Sequence, residues 1–236
     1  MTADPLVLLP EVDRATARLL ATASKLDDAA LAAPSLLPGW TRGHVLAHVA
    51  RNGNAYVNLL TWARTGVETP AYPSAEHRDA DIAANADRPL ADHLADIAAA
   101  AERFATAAEQ LAPAHWAGAI RTSSGDMAPA ATVPWFRLRE VEVHHVDLDA
   151  GYTTADWPDA FVHRLLHELA ANLAPQMAPA RLHATDLAHE LDLGARPTVT
   201  ISGSGHEIAA WLSGRSAGDN LTVTPGGPLP TVPTWK

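Results

Sequence analysis

As far as Gly151, apolar side chains recur at three- and four-residue steps; beyond it the period breaks into short runs of alternating character. A chain with that switch is committed to helices packed on helices first and to a small sheet afterwards. The helical part is plainest at Leu90, Leu94, Ile97, Ala101, Phe104, Ala108 and Leu111, a single unbroken stripe. The sheet part is plainest at Thr198-Val199-Thr200-Ile201, where β-branched residues alternate in polarity.

The remaining elements follow from the same reading. Val12, Ala15, Leu19, Ala23 and Leu26 predict a helix over 10–32. A Pro-containing turn from Pro34 to Trp40 comes next, and Thr41 is placed to cap a second helix that runs to about Arg64 and ends at Gly66. Thr69 to Pro89 is expected to be a long loop. The polar stretch between Pro113 and Pro129 is expected to turn at Ser123-Ser124-Gly125-Asp126. A fourth helix is predicted over 129–149, with Pro134 tolerable only near its start. Past Gly151 the expectations are a helix over 158–173, strands near 181–186, 190–193, 198–202 and 221–224, and a short helix over 206–212. The fold class is therefore α+β: a four-helix bundle over 1–151 and a smaller C-terminal α/β domain over 152–236.

Composition narrows the function. Hydrophobic residues make up 47% and charged residues 19%, the balance of a globular chain. The net charge of −10 disfavours a nucleic-acid partner, which needs clustered cations. No run approaches the roughly 20 apolar residues of a membrane span, and the N-terminal segment carries acids where a secretory signal needs bases. A soluble cytoplasmic location without a membrane partner is the expectation. Lysine is nearly absent, so arginine carries most of the positive charge. Its forked guanidinium suits carboxylate recognition, which leaves an anionic small molecule open as ligand. There is no cysteine, which excludes disulfides, thiolate metal sites and a sulfur nucleophile of the protein's own. Thiol chemistry here needs a thiol brought from outside.

Two segments carry chemistry. The second predicted helix holds His44 and His48, with Asn52 one turn further, and the fourth holds Glu140 and His144 followed by His145. Residues four apart share a helix face, so His44/His48 form one row and Glu140/His144 another. Imidazole with carboxylate suits zinc, iron, nickel or manganese, and three protein ligands leave a position open. Either pair alone is common by chance in a chain with 12 histidines. Their joint presence on two helices of a bundle is what points to a metal. Glu142 and His145 point to other faces and read as surface or supporting groups, while Asp147 is placed to orient a ligand histidine. The other histidines, among them His93, His163, His167 and His189, show no convincing partner spacing and read as ordinary exposed groups.

The segments 37–52 and 139–148 together resemble the mycothiol-dependent maleylpyruvate isomerases. The likeness continues through 62–70, Ile201-Ser202-Gly203-Ser204, Ser213-Gly214-Arg215 and Pro233-Thr234-Trp235, and so covers nearly the whole chain in order. It implies a DinB-like metal-binding bundle followed by a C-terminal α/β domain. It also implies a divalent metal, usually zinc, on His48, Glu140 and His144, with His44 in a packing or supporting role. The family's catalytic arginine falls on Arg215, which with Arg78 would also bind substrate. His145 departs from the family pattern, where a small residue is frequent.

The implied cofactors are that metal and mycothiol, a low-molecular-weight thiol. The implied partner is an unsaturated dicarboxylic acid. The implied reaction turns maleylpyruvate into fumarylpyruvate, a step of gentisate breakdown, by metal-activated thiolate addition, bond rotation and elimination. The same activated thiolate would also serve an S-transferase acting on an electrophile. A metal-dependent sensor without catalysis would use the same scaffold.

Overall fold

The structure, a computed structural model, describes residues 4–122 and 125–235 and falls into two compact units, Met1–Tyr152 and Thr153–Lys236. Ser123 and Ser124 of the expected turn lie outside the described residues.

In the first unit, helix α1 spans Pro5–Ala23 and starts where the Asp4 carboxylate accepts from the Leu6 N–H. It begins earlier than the apolar stripe suggests and carries Pro10 inside it. A short helix α2 (Asp28–Leu31) follows. Helix α3 (Arg42–Thr65) starts at the Thr41 cap and stops at Gly66, whose φ of 72° is the left-handed conformation that glycine adopts at no steric cost. Helix α4 (Ala75–Asn85) lies where a loop was expected. Ile82 is its one buried residue, too little for a readable period. Helix α5 is Leu90–Glu109, and its stripe buries Ile97, Phe104 and Ala108. Strands β1 (Ala119–Arg121) and β2 (Met127–Pro129) pair as a small antiparallel ribbon, each too short at three residues to show alternation in the sequence. Helix α6 (Val133–Asp147) then opens with Pro134 in its first turn, where the missing N–H costs nothing.

Helix α3 packs on α5 and α6, and α1 packs on α6 and α5, which makes the four-helix bundle. Its core includes Leu19, Leu46, Val49, Leu59, Ile97, Phe104 and Val141, none more than 2% exposed. Each such large apolar side chain contributes roughly 1.5–3 kcal/mol. Gly43 marks a close approach: a Cβ there would sit 2.0 Å from the Ala86 carbonyl oxygen at the end of α4. The backbone of α4 is thereby seated against the first turn of α3.

The second unit contains helix α7 (Asp159–Leu173), strands β3 (Ala180–Ala184), β4 (His189–Leu193) and β5 (Val199–Gly203), helix α8 (Gly205–Leu212) and strand β6 (Thr222–Thr224). The sheet order is β4-β3-β5-β6, with β3 and β5 parallel and both outer pairs antiparallel. Alternation along β3 buries Ala180, Leu182 and Ala184. Helix α7 packs on β4 and α8 on β3 and β5, the layered α/β arrangement. No helix among the described residues is long and apolar enough to cross a membrane.

Candidate metal centre

The cap of α3 decides which of its two histidines is available. Thr41 accepts the His44 N–H, and the His44 Nδ1 accepts the Thr41 N–H at 3.3 Å, a reciprocal box that ties His44 to the helix start. His48, one turn on and 3% exposed, is left to face α6. There Glu140 and His144 share a face one turn apart, as the four-residue spacing requires.

The three side chains meet. His48 Nε2 lies 2.9 Å from Glu140 Oε2, and His144 Nε2 lies 3.4 Å from the same oxygen. The two imidazole rings stand edge to face with centroids 4.5 Å apart. One donor atom from each residue falls within 4.8 Å of the others, so the group is able to hold one ion. Two nitrogens and a carboxylate oxygen, convergent, with His48 buried and Glu140 and His144 partly so, are a donor set that fits a divalent metal of the zinc class. Asp147 Oδ2 accepts from His144 Nδ1 at 2.9 Å and fixes that ring so that its Nε2 faces Glu140.

Further groups close the site. The Trp40 ring lies 5.5 Å from that of His48. On α4, Arg78 brings Nη2 to 3.4 Å from His48 Nδ1, while its guanidinium faces the Trp40 and Tyr72 rings at 5.9 and 6.0 Å. Arg139 reaches Glu140 Oε1 at 3.8 Å. Asn52 does not join the cluster: it accepts from Arg137, a fully buried guanidinium that also donates to the Val49 carbonyl.

The electrostatics pull the two histidines apart. Burial, the nearby His144 and Arg78 push His48 down to about 4 against the pull of Glu140. Burial works against charge on His144 too, but Asp147 and Glu140 overcome it and raise the ring to about 9. Burial alone would raise Glu140; its hydrogen bonds to His144 and His48 hold it well below the ordinary carboxylate range. The carboxylate is therefore ionised and demands a positive neighbour.

Arg215 lies in the second unit, just past α8. Its Nη1 donates to the Ser213 carbonyl, and its guanidinium faces the Trp235 ring at 5.9 Å.

Several sequence expectations need correction. Glu142 and His145 are not surface groups: they are 0% and 1% exposed. Glu142 accepts from Arg18 of α1 and from the Tyr152 hydroxyl, and His145 stacks on the Tyr152 ring at 3.6 Å. His93 is buried as well, against the Ala86 carbonyl. His163, His167 and His189 are clustered rather than isolated. The four-residue spacing of the first two was the available signal, and the third comes from a strand.

A family model described as the mycothiol maleylpyruvate isomerase N-terminal domain matches residues 12–149. A crystal structure of the mycothiol-dependent maleylpyruvate isomerase is 31% identical, with a TM-score of 0.89 over 99% of this chain and 98% of that one. A histidine-to-alanine mutant of such an isomerase is also 31% identical, with a TM-score of 0.88 over 99% and 98%. No curated protein matches the chain.

Proposed function

The chain belongs to the mycothiol maleylpyruvate isomerase family, and on that footing we propose that it is a metal- and thiol-dependent cis-trans isomerase acting on maleylpyruvate to give fumarylpyruvate. The observation that carries the reading is the convergence of His48, Glu140 and His144 from two helices on one point. These three would hold a divalent ion, with zinc favoured by the donor set.

Bound there, such an ion lowers the pKa of a thiol such as mycothiol, supplying the nucleophile for reversible addition across a cis double bond. The chain's own residues set the stage. Asp147 holds the proton on His144 Nδ1 and leaves Nε2 as the donor. Ligation through His48 Nε2 requires the proton on His48 Nδ1, which then no longer accepts from Arg78. Nη1 of Arg78 keeps the Asp79 carboxylate as its acceptor, while Nη2 would be left for another, and the carboxylate of a dicarboxylic substrate is one. Trp40 and Tyr72 flank that guanidinium and limit its swing. By the family resemblance, Arg215 would be the catalytic guanidinium, suited to a carboxylate or to the oxygen on which charge builds as the double bond is attacked.

The test is an assay of maleylpyruvate isomerisation with metal-loaded protein, with and without mycothiol, alongside the His48→Ala and His144→Ala variants. Fumarylpyruvate should form only when the thiol is present, and both variants should lose metal and turnover together. A stable thiol conjugate in place of fumarylpyruvate would overturn the isomerase reading in favour of S-transfer.

A further inference from the structure

The second unit contains a histidine cluster that the proposed reaction does not use. His163 and His167 stand one turn apart on α7, and His189 opens β4, the strand on which α7 packs. His167 Nε2 and His189 Nε2 are 3.0 Å apart. The three ring centroids lie 4.4 to 5.0 Å from one another, and one nitrogen from each ring falls within 4.8 Å of the other two.

An i,i+4 histidine pair on an exposed helix is common and by itself says little. The third imidazole changes that, because it arrives from a different element whose position is fixed by its pairing with β3. Two imidazole nitrogens on a tetrahedral ion at about 2.0–2.1 Å are separated by about 3.3 Å, so the 3.0 Å gap needs to open by only a few tenths of an ångström. His163 and His167 are exposed and His189 is half-buried, which gives an ion direct access from solvent. The ligand set is all nitrogen, with no carboxylate. That composition favours copper, zinc or nickel over the oxygen-seeking magnesium and calcium.

We propose that His163, His167 and His189 form a second divalent transition-metal site, of the imidazole-favouring class, with its remaining coordination open to water. Copper(II) is the probe of choice, because bound nitrogens split its electron paramagnetic resonance signal. The full-length His48→Ala chain, in which the bundle cluster is disrupted, is titrated with copper(II) and compared with the same chain carrying in addition His167→Ala or His163→Ala. The expected result is one equivalent bound with imidazole nitrogen splitting, and at least tenfold weaker binding in each double variant. Far-UV circular dichroism identical to the parent's is expected, since the two helical positions are exposed. Copper affinity within threefold of the parent in both double variants overturns the proposal.

Discussion

Asp147 Oδ2 accepts a hydrogen bond from His144 Nδ1 at 2.9 Å, and through it a carboxylate outside the donor cluster sets the orientation of a ring inside it. Asp147 is 1% exposed, so water does not compete for the bond. Replacing Asp147 with Ala removes both the charge and the acceptor that hold the His144 ring. Zinc affinity, measured by competition with a chromophoric chelator, should fall about 10–100-fold, the usual effect of losing such a partner. Unchanged affinity would show that the ring is held by packing alone.

The two arginines should separate by readout. Arg215→Gln should leave metal content intact and lower turnover by about 10²–10³-fold, the scale of one lost charge-stabilising donor. Arg78→Gln should chiefly raise KM for the diacid, because a carboxylate clamp acts on binding. Steady-state kinetics on protein with verified metal content checks both, and unaltered kinetics in Arg215→Gln would remove that residue from the mechanism.

The Arg18–Glu142 pair ties α1 to α6 on the face opposite the cluster, with the Glu142 side chain fully buried. Arg18→Ala removes that guanidinium from the carboxylate, which keeps the Tyr152 hydroxyl among its partners. Unfolding by urea should show a loss of about 2 kcal/mol, less than the roughly 3–5 kcal/mol of a fully buried pair because Arg18 is itself partly exposed. Met in place of Glu142 together with Arg18→Ala should recover part of it. A loss within 0.5 kcal/mol, about that of an ordinary surface substitution, would contradict the role.

How much of this was legible in the chain depended on how local the cause was. The pairing of Glu140 with His144 was legible from spacing, since helix geometry alone puts them on one face. The choice between His44 and His48 was not: it turns on the Thr41 cap, which occupies His44, and only the family resemblance separated them. Helix α4 was hidden because one buried residue, Ile82, leaves no period. The burial of Glu142 was hidden because its cation, Arg18, lies 124 positions away along the chain. His189 was hidden likewise, since strand pairing and not spacing brings it to His163 and His167.

His93 offers a pH dependence with a definite sign. Burial first, and the charge of Arg88, lower its folded-state value below the ordinary 6.5, although the Ala86 carbonyl pulls the other way. Between the lowered value and 6.5 the unfolded chain binds more protons than the folded one. The contribution of neutral His93 is therefore complete above about pH 6.5 and is lost as the pH falls through that window. In His93→Gln the decline in stability from pH 7 to pH 5 should be shallower than in the parent, as read from denaturant midpoints. A decline of equal slope would show that His93 is not among the groups responsible.

In the proposed function, α3 and α6 together hold one divalent ion. Anomalous diffraction from a zinc-loaded crystal, recorded on both sides of the zinc absorption edge, tests it most directly. A single strong anomalous peak is expected in the bundle, about 2.0–2.2 Å from His48 Nε2, a Glu140 carboxylate oxygen and His144 Nε2. A bundle with no peak at that point, or a peak ligated by other side chains, would contradict it.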